Sequence, residues 1–246
     1  MNLKPYLDST YLKTALQAKI SDIDNETIVI ETVKEAIAEQ FKLVMIRPEY
    51  VAMAKKLIAD ANSSVDVGTV ISFPEGVNSV AEKCSEAQLA IDNGADDLDF
   101  VINYTAFKNG DFALVKQEIL ECTKLGTDNN KVVKWIIETA ALSTDEIIRI
   151  CVFIKNSILA NFKEHLFASV FIKSSTGFYV TQNNQPNGAT IDAIVLMLEN
   201  GSPLSIKASG GIKSYDDAVA LLRMGVKRIG TSAAKQIANG IETDGY

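Results

Sequence analysis

The sequence predicts a single (β/α)8, or TIM, barrel of the α/β class, and three observations carry that prediction. Short apolar runs rich in β-branched residues alternate with longer stretches whose apolar residues recur every three or four positions. Eight such strand candidates are spread over the 246 residues, a length usual for one barrel. No glycine fingerprint follows the first of them, which disfavours the open doubly wound sheet that gives a similar alternation.

Taken in order, the strand candidates are residues 5–9, 42–47, 65–72, 97–103, 132–138, 169–174, 204–208 and 226–231. Helical periodicity marks residues 27–40, 48–61, 79–93, 111–124, 144–156, 190–199 and 215–224. Ser143 or Thr144 before DEII and Ser214 before YDDA are start signals, and Gly94, Gly201 and Gly225 lie just beyond helix ends. Strands alternating with helices imply parallel pairing. The most polar, turn-rich stretch, TQNNQPNG at 181–188, falls inside a strand-to-helix loop, so residues 1–246 read as one domain with a flexible tail at about 239–246.

Composition narrows the function. The chain is 47% hydrophobic and 22% charged without low-complexity sequence, as a folded globular protein is. Its 24 Lys and Arg against 31 Asp and Glu give a net charge of −7, which repels a phosphate backbone, so no nucleic acid partner is expected. No segment reaches the ~18–20 apolar residues of a membrane span, and MNLKPYLDSTYL has no apolar run of signal-peptide length. The expectation is a cytoplasmic protein without a membrane partner. Cys84, Cys122 and Cys151 are odd in number and widely spaced, and read as buried free thiols. His165, the one histidine, reads as a surface or packing residue. A single imidazole does not make a His-rich zinc site, so neither metal nor cofactor is expected.

Catalytic groups of such barrels gather at the carboxyl ends of the strands. There the sequence offers Asp8, Asp99, Glu138, Lys173 and Lys207, a set of carboxylates and amines. Lys173 in SVFIKSSTGF and Lys207 in LSIKASGGI end apolar runs, where a buried ammonium is costly unless it is compensated or deprotonated. The two are 34 residues apart, about one strand-helix repeat, so they stand on neighbouring strands and one tunes the other. A neutral amine attacks carbonyls. Spacing leaves open which lysine reacts, and leaves open a plainer role for either as a surface residue or salt-bridge partner.

A second signal is SGGI at 209–212 after the Lys207 strand, followed by IGTSAA at 229–234 after the last strand. Gly210, Gly211 and Ser232 are candidates to present backbone N–H groups to a phosphate. A helix cap explains a lone Gly-Gly turn about as often. Its recurrence after strand eight favours a phosphorylated substrate.

These residues lie in motifs that resemble one family. The runs VGTVISFPEG (67–76), GADDLDFVIN (94–103), KWIIETA (134–140), FIKSSTGF (171–178), IKASGGI (206–212) and RIGTSA (228–233) look like deoxyribose-phosphate aldolase, in order and over nearly the whole chain. The resemblance implies a metal-free class I aldolase that reversibly cleaves 2-deoxy-D-ribose 5-phosphate to D-glyceraldehyde 3-phosphate and acetaldehyde. It implies that Lys173 forms the Schiff base, that Lys207 favours the neutral amine of Lys173, and that Asp99 relays protons with a water and Lys207. It makes Asp8 a hydrogen-bonding partner, Glu138 a polar support, and Thr176 and Gly177 substrate contacts. It implies that Tyr246, at the end of the tail, reaches the site and assists proton exchange at the enamine carbon. A monomer or homodimer is implied, with the sugar phosphate and acetaldehyde as partners.

Two positions depart from the family pattern. Met45 in LVMIRP stands where relatives often carry a cysteine that takes no part in the lysine chemistry. Phe178 stands where some relatives carry a phosphate-contacting lysine, so the phosphate is expected to rest more on backbone N–H groups. A different Schiff-base barrel aldolase, a non-catalytic sugar-phosphate binder and a purely structural or interaction protein are the competing readings, and the last leaves the two buried lysines without an explanation.

Overall fold

Strands without a continuous polar face need cover on both sides, which a closed parallel barrel inside a ring of helices provides. The computed structural model describes residues 1–181 and 186–240. Its strands are β1 Leu7–Thr10, β2 Leu43–Ile46, β3 Asp66–Ile71, β4 Asp97–Val101, β5 Val132–Ile136, β6 Val170–Lys173, β7 Ser205–Ser209 and β8 Arg228–Thr231. They pair in parallel in chain order, and β1 closes the ring, with Asp8 opposite Leu43 of β2 and opposite Gly230 of β8. This is the predicted (β/α)8 barrel.

The helices are α1 Ala15–Ala18, α2 Asp22–Glu39, α3 Val51–Asp60, α4 Val80–Asp92, α5 Tyr104–Lys108, α6 Phe112–Asp128, α7 Thr144–Asn161, α8 Ile191–Gly201, α9 Tyr215–Met224 and α10 Ala234–Ala238. Several start where a side chain caps the orphan N–H groups of the first turn. Ser79 and Ser143 form capping boxes with Glu82 and Glu146, and Ser214 accepts from Asp217 N.

Local boundaries differ from the expectation for identifiable reasons. Pro5 sits in a 3-10 turn, Lys4–Tyr6, so β1 begins at Leu7 rather than at 5. α2 begins five residues before 27, because Ser21 caps a first turn, DIDN, that is acidic and carries little apolar periodicity. Residues 48–50 form a 3-10 turn ahead of α3, and α6 and α7 run on to Asp128 and Asn161. The short α1, α5 and α10 were not expected. Cys84 is half-buried, not buried, whereas Cys122 and Cys151 are buried, and all three are free. His165 is exposed, in the 3-10 segment Glu164–Ser169.

Alternation along the strands divides the interior in two. Val44, Ile46, Val67, Leu98, Phe100, Val133, Trp135, Ile172, Ile206 and Ile229 join the large apolar core that also takes in the helices. Trp135 stacks on Phe100 with ring centroids 5.3 Å apart, and its Nε1 donates to Thr123 on α6 at 3.0 Å. The alternate positions fill the barrel. Leu43, Met45 and Val70 form a small separate cluster with Leu12, backed by Phe73 and Phe178. Val101, Ile136 and Phe171, each two residues from a charged side chain on its own strand, are also buried on the inward face, and the middle of the lumen is ionic. Among the described residues no helix is long and apolar enough to cross a membrane.

Candidate active site

Strand register brings the charged residues together. Lys173 lies directly opposite Lys207 across β6 and β7, and Asp99 opposite Lys134 across β4 and β5. Asp99 is the hub. Its Oδ2 accepts from Lys173 Nζ at 2.8 Å and Lys207 Nζ at 2.9 Å, and its Oδ1 accepts from Lys134 Nζ at 2.8 Å. Lys134 also donates to Asp97 at 2.6 Å. Lys207 Nζ stands 2.6 Å from Asp8 Oδ2, a charge contact without an aligned hydrogen bond. Arg228 completes the set, its Nε donating to Asp8 at 2.7 Å and its Nη2 reaching Asp97 at 3.4 Å. On β8, Gly230 leaves room for the lysine stem, since a Cβ there would stand 3.2 Å from Lys207 Cε.

Three carboxylates therefore face four basic side chains, all nearly free of solvent. If every group were ionised, one positive charge would lack a partner, and a buried uncompensated charge is strongly unfavourable. The titration tendencies say where the surplus proton is weakest. Burial, helped by Lys207 and Lys134, brings Lys173 down to about 8, against the upward pull of Asp99. Burial acts likewise on Lys134 and Arg228, yet the carboxylates around each outweigh it and hold both above their ordinary values. Burial would raise Asp99, but Lys134, Lys173 and Lys207 together hold it well below the usual carboxylate range. Burial would raise Asp8 too, but Arg228, Lys207 and Lys134 bring it below its ordinary value. Lys173 is thus the amine closest to giving up its proton at neutral pH.

Lys173 opens into a cavity of about 700 Å³ at the carboxyl end of the barrel. Thr176, Gly177, Gly210, Gly211 and Ser232 line it as well. The loop after β7 passes close to the one before α8. A Cβ on Gly210, which has φ +90°, would meet Asn187 O at 2.8 Å, so glycine is required there both for conformation and for space. Glu138, just past β5, holds the turn after Lys173. Its carboxylate accepts from Ser175 Oγ at 2.6 Å, from Thr176 N at 3.2 Å and from Thr176 Oγ1. Burial raises the Glu138 carboxyl against those bonds.

Asp8, Asp99 and Glu138 are buried and do not line the cavity; Asp8 and Asp99 contact the lysines, and Glu138 the 174–177 turn. Phe178 also lines the cavity, edge-on to Phe73 with ring centroids 5.1 Å apart. Tyr246 lies outside the described residues, as does the tail from 241. Sequence reasoning missed Lys134, Asp97, Arg228 and Lys213. Lys134 carried the same signal as Lys173, a lysine in an apolar strand, but sits mid-strand in VVKWI; Asp97 is two residues before Asp99 and so shares its face. Lys213, directly after SGGI, brings an exposed ammonium to the cavity. Among the described residues no three His, Cys, Asp or Glu side chains are grouped as a metal ion would need.

A family model described as DeoC/LacD family aldolase matches residues 8–240. The chain belongs to the DeoC/LacD family of aldolases. It is accordingly an aldolase, a carbon–carbon lyase. A deoxyribose-phosphate aldolase from Thermococcus gammatolerans is 36% identical over 241 residues, spanning 98% of this chain and 96% of the relative. The tetrameric deoxyribose phosphate aldolase of Aeropyrum pernix superposes with a TM-score of 0.76 at 27% identity, over 96% of this chain and 89% of that one. The deoxyribose-phosphate aldolase of Streptococcus suis is 36% identical over 247 residues, spanning 100% of this chain and 99% of its own. In this DeoC/LacD aldolase Lys173 is the member of the lysine and aspartate cluster that lines the cavity, which the segments after β6, β7 and β8 help to build.

Proposed function

We propose that this aldolase reversibly cleaves 2-deoxy-D-ribose 5-phosphate to D-glyceraldehyde 3-phosphate and acetaldehyde through an imine on Lys173. The observation that carries the reading is a buried lysine, with its pKa lowered to about 8, opening into the cavity beside a second lysine and a shared carboxylate. The names of the full-length relatives support the substrate.

Neutral Lys173 attacks C1 of the open-chain aldehyde, water leaves, and the protonated imine becomes the electron sink. Loss of the C3 hydroxyl proton breaks the C2–C3 bond, its electrons flow into the imine, and glyceraldehyde 3-phosphate departs from the two-carbon enamine. A water held by Asp99 takes that proton, with Lys207 sharing it. The timing suits the site: as the enamine forms, one positive charge beside Asp99 disappears, and the carboxylate's proton affinity rises when a proton must be held. Protonation of the enamine carbon, assisted by Tyr246, and hydrolysis release acetaldehyde and restore Lys173.

The phosphate is held by backbone N–H groups of Gly210, Gly211 and Ser232, with Lys213 adding charge where Phe178 adds none. Thr176 and Gly177, which line the same cavity, contact the substrate. Asp8 serves by holding Lys207, and Glu138 by holding the Ser175 and Thr176 turn. No step of this route needs a metal or cofactor. We assign the reaction to deoxyribonucleoside breakdown in the cytoplasm, carried out by a homodimer; sedimentation at the mass of one or four chains would overturn the dimer.

Borohydride reduction in the presence of 2-deoxyribose 5-phosphate or acetaldehyde tests the chemistry. The expected product is a two-carbon adduct on Lys173, absent from Lys173→Ala. No adduct on any lysine of the folded protein would leave a sugar-phosphate binder. Trapping by ketose phosphates but not by the deoxy sugar would point to a different Schiff-base aldolase.

A further inference from the structure

Outside the barrel, Cys84 on α4 and Cys122 on α6 face each other across the seam between these neighbouring helices, with their Sγ atoms 3.8 Å apart. The sulfurs are in van der Waals contact, and closing to the ~2.05 Å of a disulfide requires a shift of under about 2 Å. The seam is held in place by a neighbouring ion pair. Lys83, next to Cys84, donates to Glu118 at 2.5 Å and to Val101 O at 2.8 Å, and Glu118 lies one turn before Cys122. Glu118 also accepts from Asn103 N at 2.8 Å, so both helices are tied to the end of β4.

The two thiols are unequal. Cys84 is half-buried and Cys122 is fully buried. The Cys84 thiol is lowered to about 7, because its thiolate accepts a hydrogen bond from Cys122 S–H, against the effects of burial and Glu121. Holding that bond, together with burial, pushes Cys122 up. This is the asymmetry of an attacking thiolate beside a resolving thiol.

We propose that Cys84 and Cys122 form a redox modification site, at which a small hydroperoxide oxidises Cys84 and Cys122 resolves it as an intramolecular disulfide. With hydrogen peroxide, the Cys84 thiolate attacks one peroxide oxygen and the O–O bond breaks. Sulfur is oxidised by two electrons to the sulfenic acid, and the other oxygen leaves as hydroxide. Cys122 then gives its proton to that hydroxide and attacks the Cys84 sulfur. The S–S bond forms, the S–O bond breaks, and water is lost after the departing hydroxide takes up a proton. In sum, two thiols and one peroxide yield one disulfide and two waters. A dithiol reductant reverses the change, as expected of a transient disulfide in a reducing compartment.

The test is stoichiometric oxidation of the native full-length protein with hydrogen peroxide. Titration of free thiols, intact mass and non-reducing peptide mapping provide the readouts. The expected result is loss of two thiols per chain, a monomer lighter by two hydrogens, a peptide joining Cys84 to Cys122, and full reversal by dithiothreitol. Cys122→Ser should instead accumulate a Cys84 sulfenic acid that dimedone traps, while Cys151→Ser, changing a fully buried thiol on α7, should behave as the parent does. Failure to oxidise, oxygen adducts on Cys84 without cross-linking in the parent, or a disulfide between two chains would each overturn the proposal.

Discussion

Lys173 is held under two opposed demands, and both are measurable. Burial and two neighbouring cations bring it to about 8, so it is largely protonated at pH 7 yet deprotonates within reach of neutrality. The kcat/KM of the free enzyme should therefore rise with pH through about 8. Lys207→Met removes a cation that lowers Lys173 and leaves Asp99 freer to bind it. Both effects move the rising limb to higher pH, and a fall in kcat of roughly 10²-fold or more should accompany the shift. A limb that stays in place in Lys207→Met would separate the two lysines. The same depression costs stability: a drop from 10.5 to about 8 corresponds to about 3 kcal/mol when Lys173 is charged in both states. Below the folded value that cost is fully present. Between the folded and unfolded values the unfolded state binds more protons, so stability recovers as pH rises. Lys173→Met should thus be inactive but about 1–3 kcal/mol more stable than the parent at pH 7, with the gap narrowing toward pH 10 in urea unfolding. Lys173 and Lys207 stood out in the sequence because each ends an apolar strand just before a turn. Lys134 did not, although it is equally buried, because a lone mid-strand lysine gives no sign of the carboxylates it meets from β4.

At the scale of elements, the loops after β5, β6 and β7 act as one unit. Glu138 leaves β5 with φ +56°, a left-handed conformation that costs a non-glycine residue about 1 kcal/mol, and its carboxylate holds the Ser175 and Thr176 turn. Glu138→Gln keeps the shape but turns one oxygen into a donor that faces other donors. On the proposed reading, in which the turn positions substrate while Lys173 sits on the strand itself, it should raise KM for the sugar phosphate several-fold and change kcat less. An equal fall in kcat with KM unchanged would instead place Glu138 in the chemistry. Gly210→Ala meets Asn187 O and Gly188 Cα at under 3 Å, so the loop must shift. A KM increase of about tenfold or more is expected, with Lys173 still trapped by acetaldehyde and borohydride, since acetaldehyde carries no phosphate. The strand positions were legible because apolar β-branched runs and their spacing are local properties. The start of α2 was not, since Ser21 and the acidic first turn signal a cap without apolar period, and α5 is held by Asn103 capping and by Phe107 packing that exist only in the folded chain.

For the whole molecule, the question is how a barrel tolerates seven ionisable groups in its lumen. The strands divide the work by alternation: outward positions enter the continuous apolar core beneath the helices, and the lumen keeps a small cluster around Leu12, Leu43, Met45 and Val70 with Val101, Ile136 and Phe171 beside the charged groups. Stability therefore comes from the outer core, which is free of catalytic demands, while the lumen stays near electrical balance if Lys173 gives up its proton. That balance depends on ionised carboxylates, and the sign follows from their titration. Asp8 and Asp99 lie below the ordinary 3.8 in the fold, so their contribution is present above that value and is lost as pH falls through their folded values. Asp99→Asn leaves Lys134, Lys173 and Lys207 without their common partner and should lose about 3–5 kcal/mol at pH 7. Because the parent loses the same contribution once Asp99 is protonated, the difference between the two proteins should shrink as pH is lowered to about 2.5. Urea midpoints for both proteins across that range measure it. A gap equally wide at both ends would mean that Asp99 is not the ionised hub of the lumen, and that another group balances the lysines.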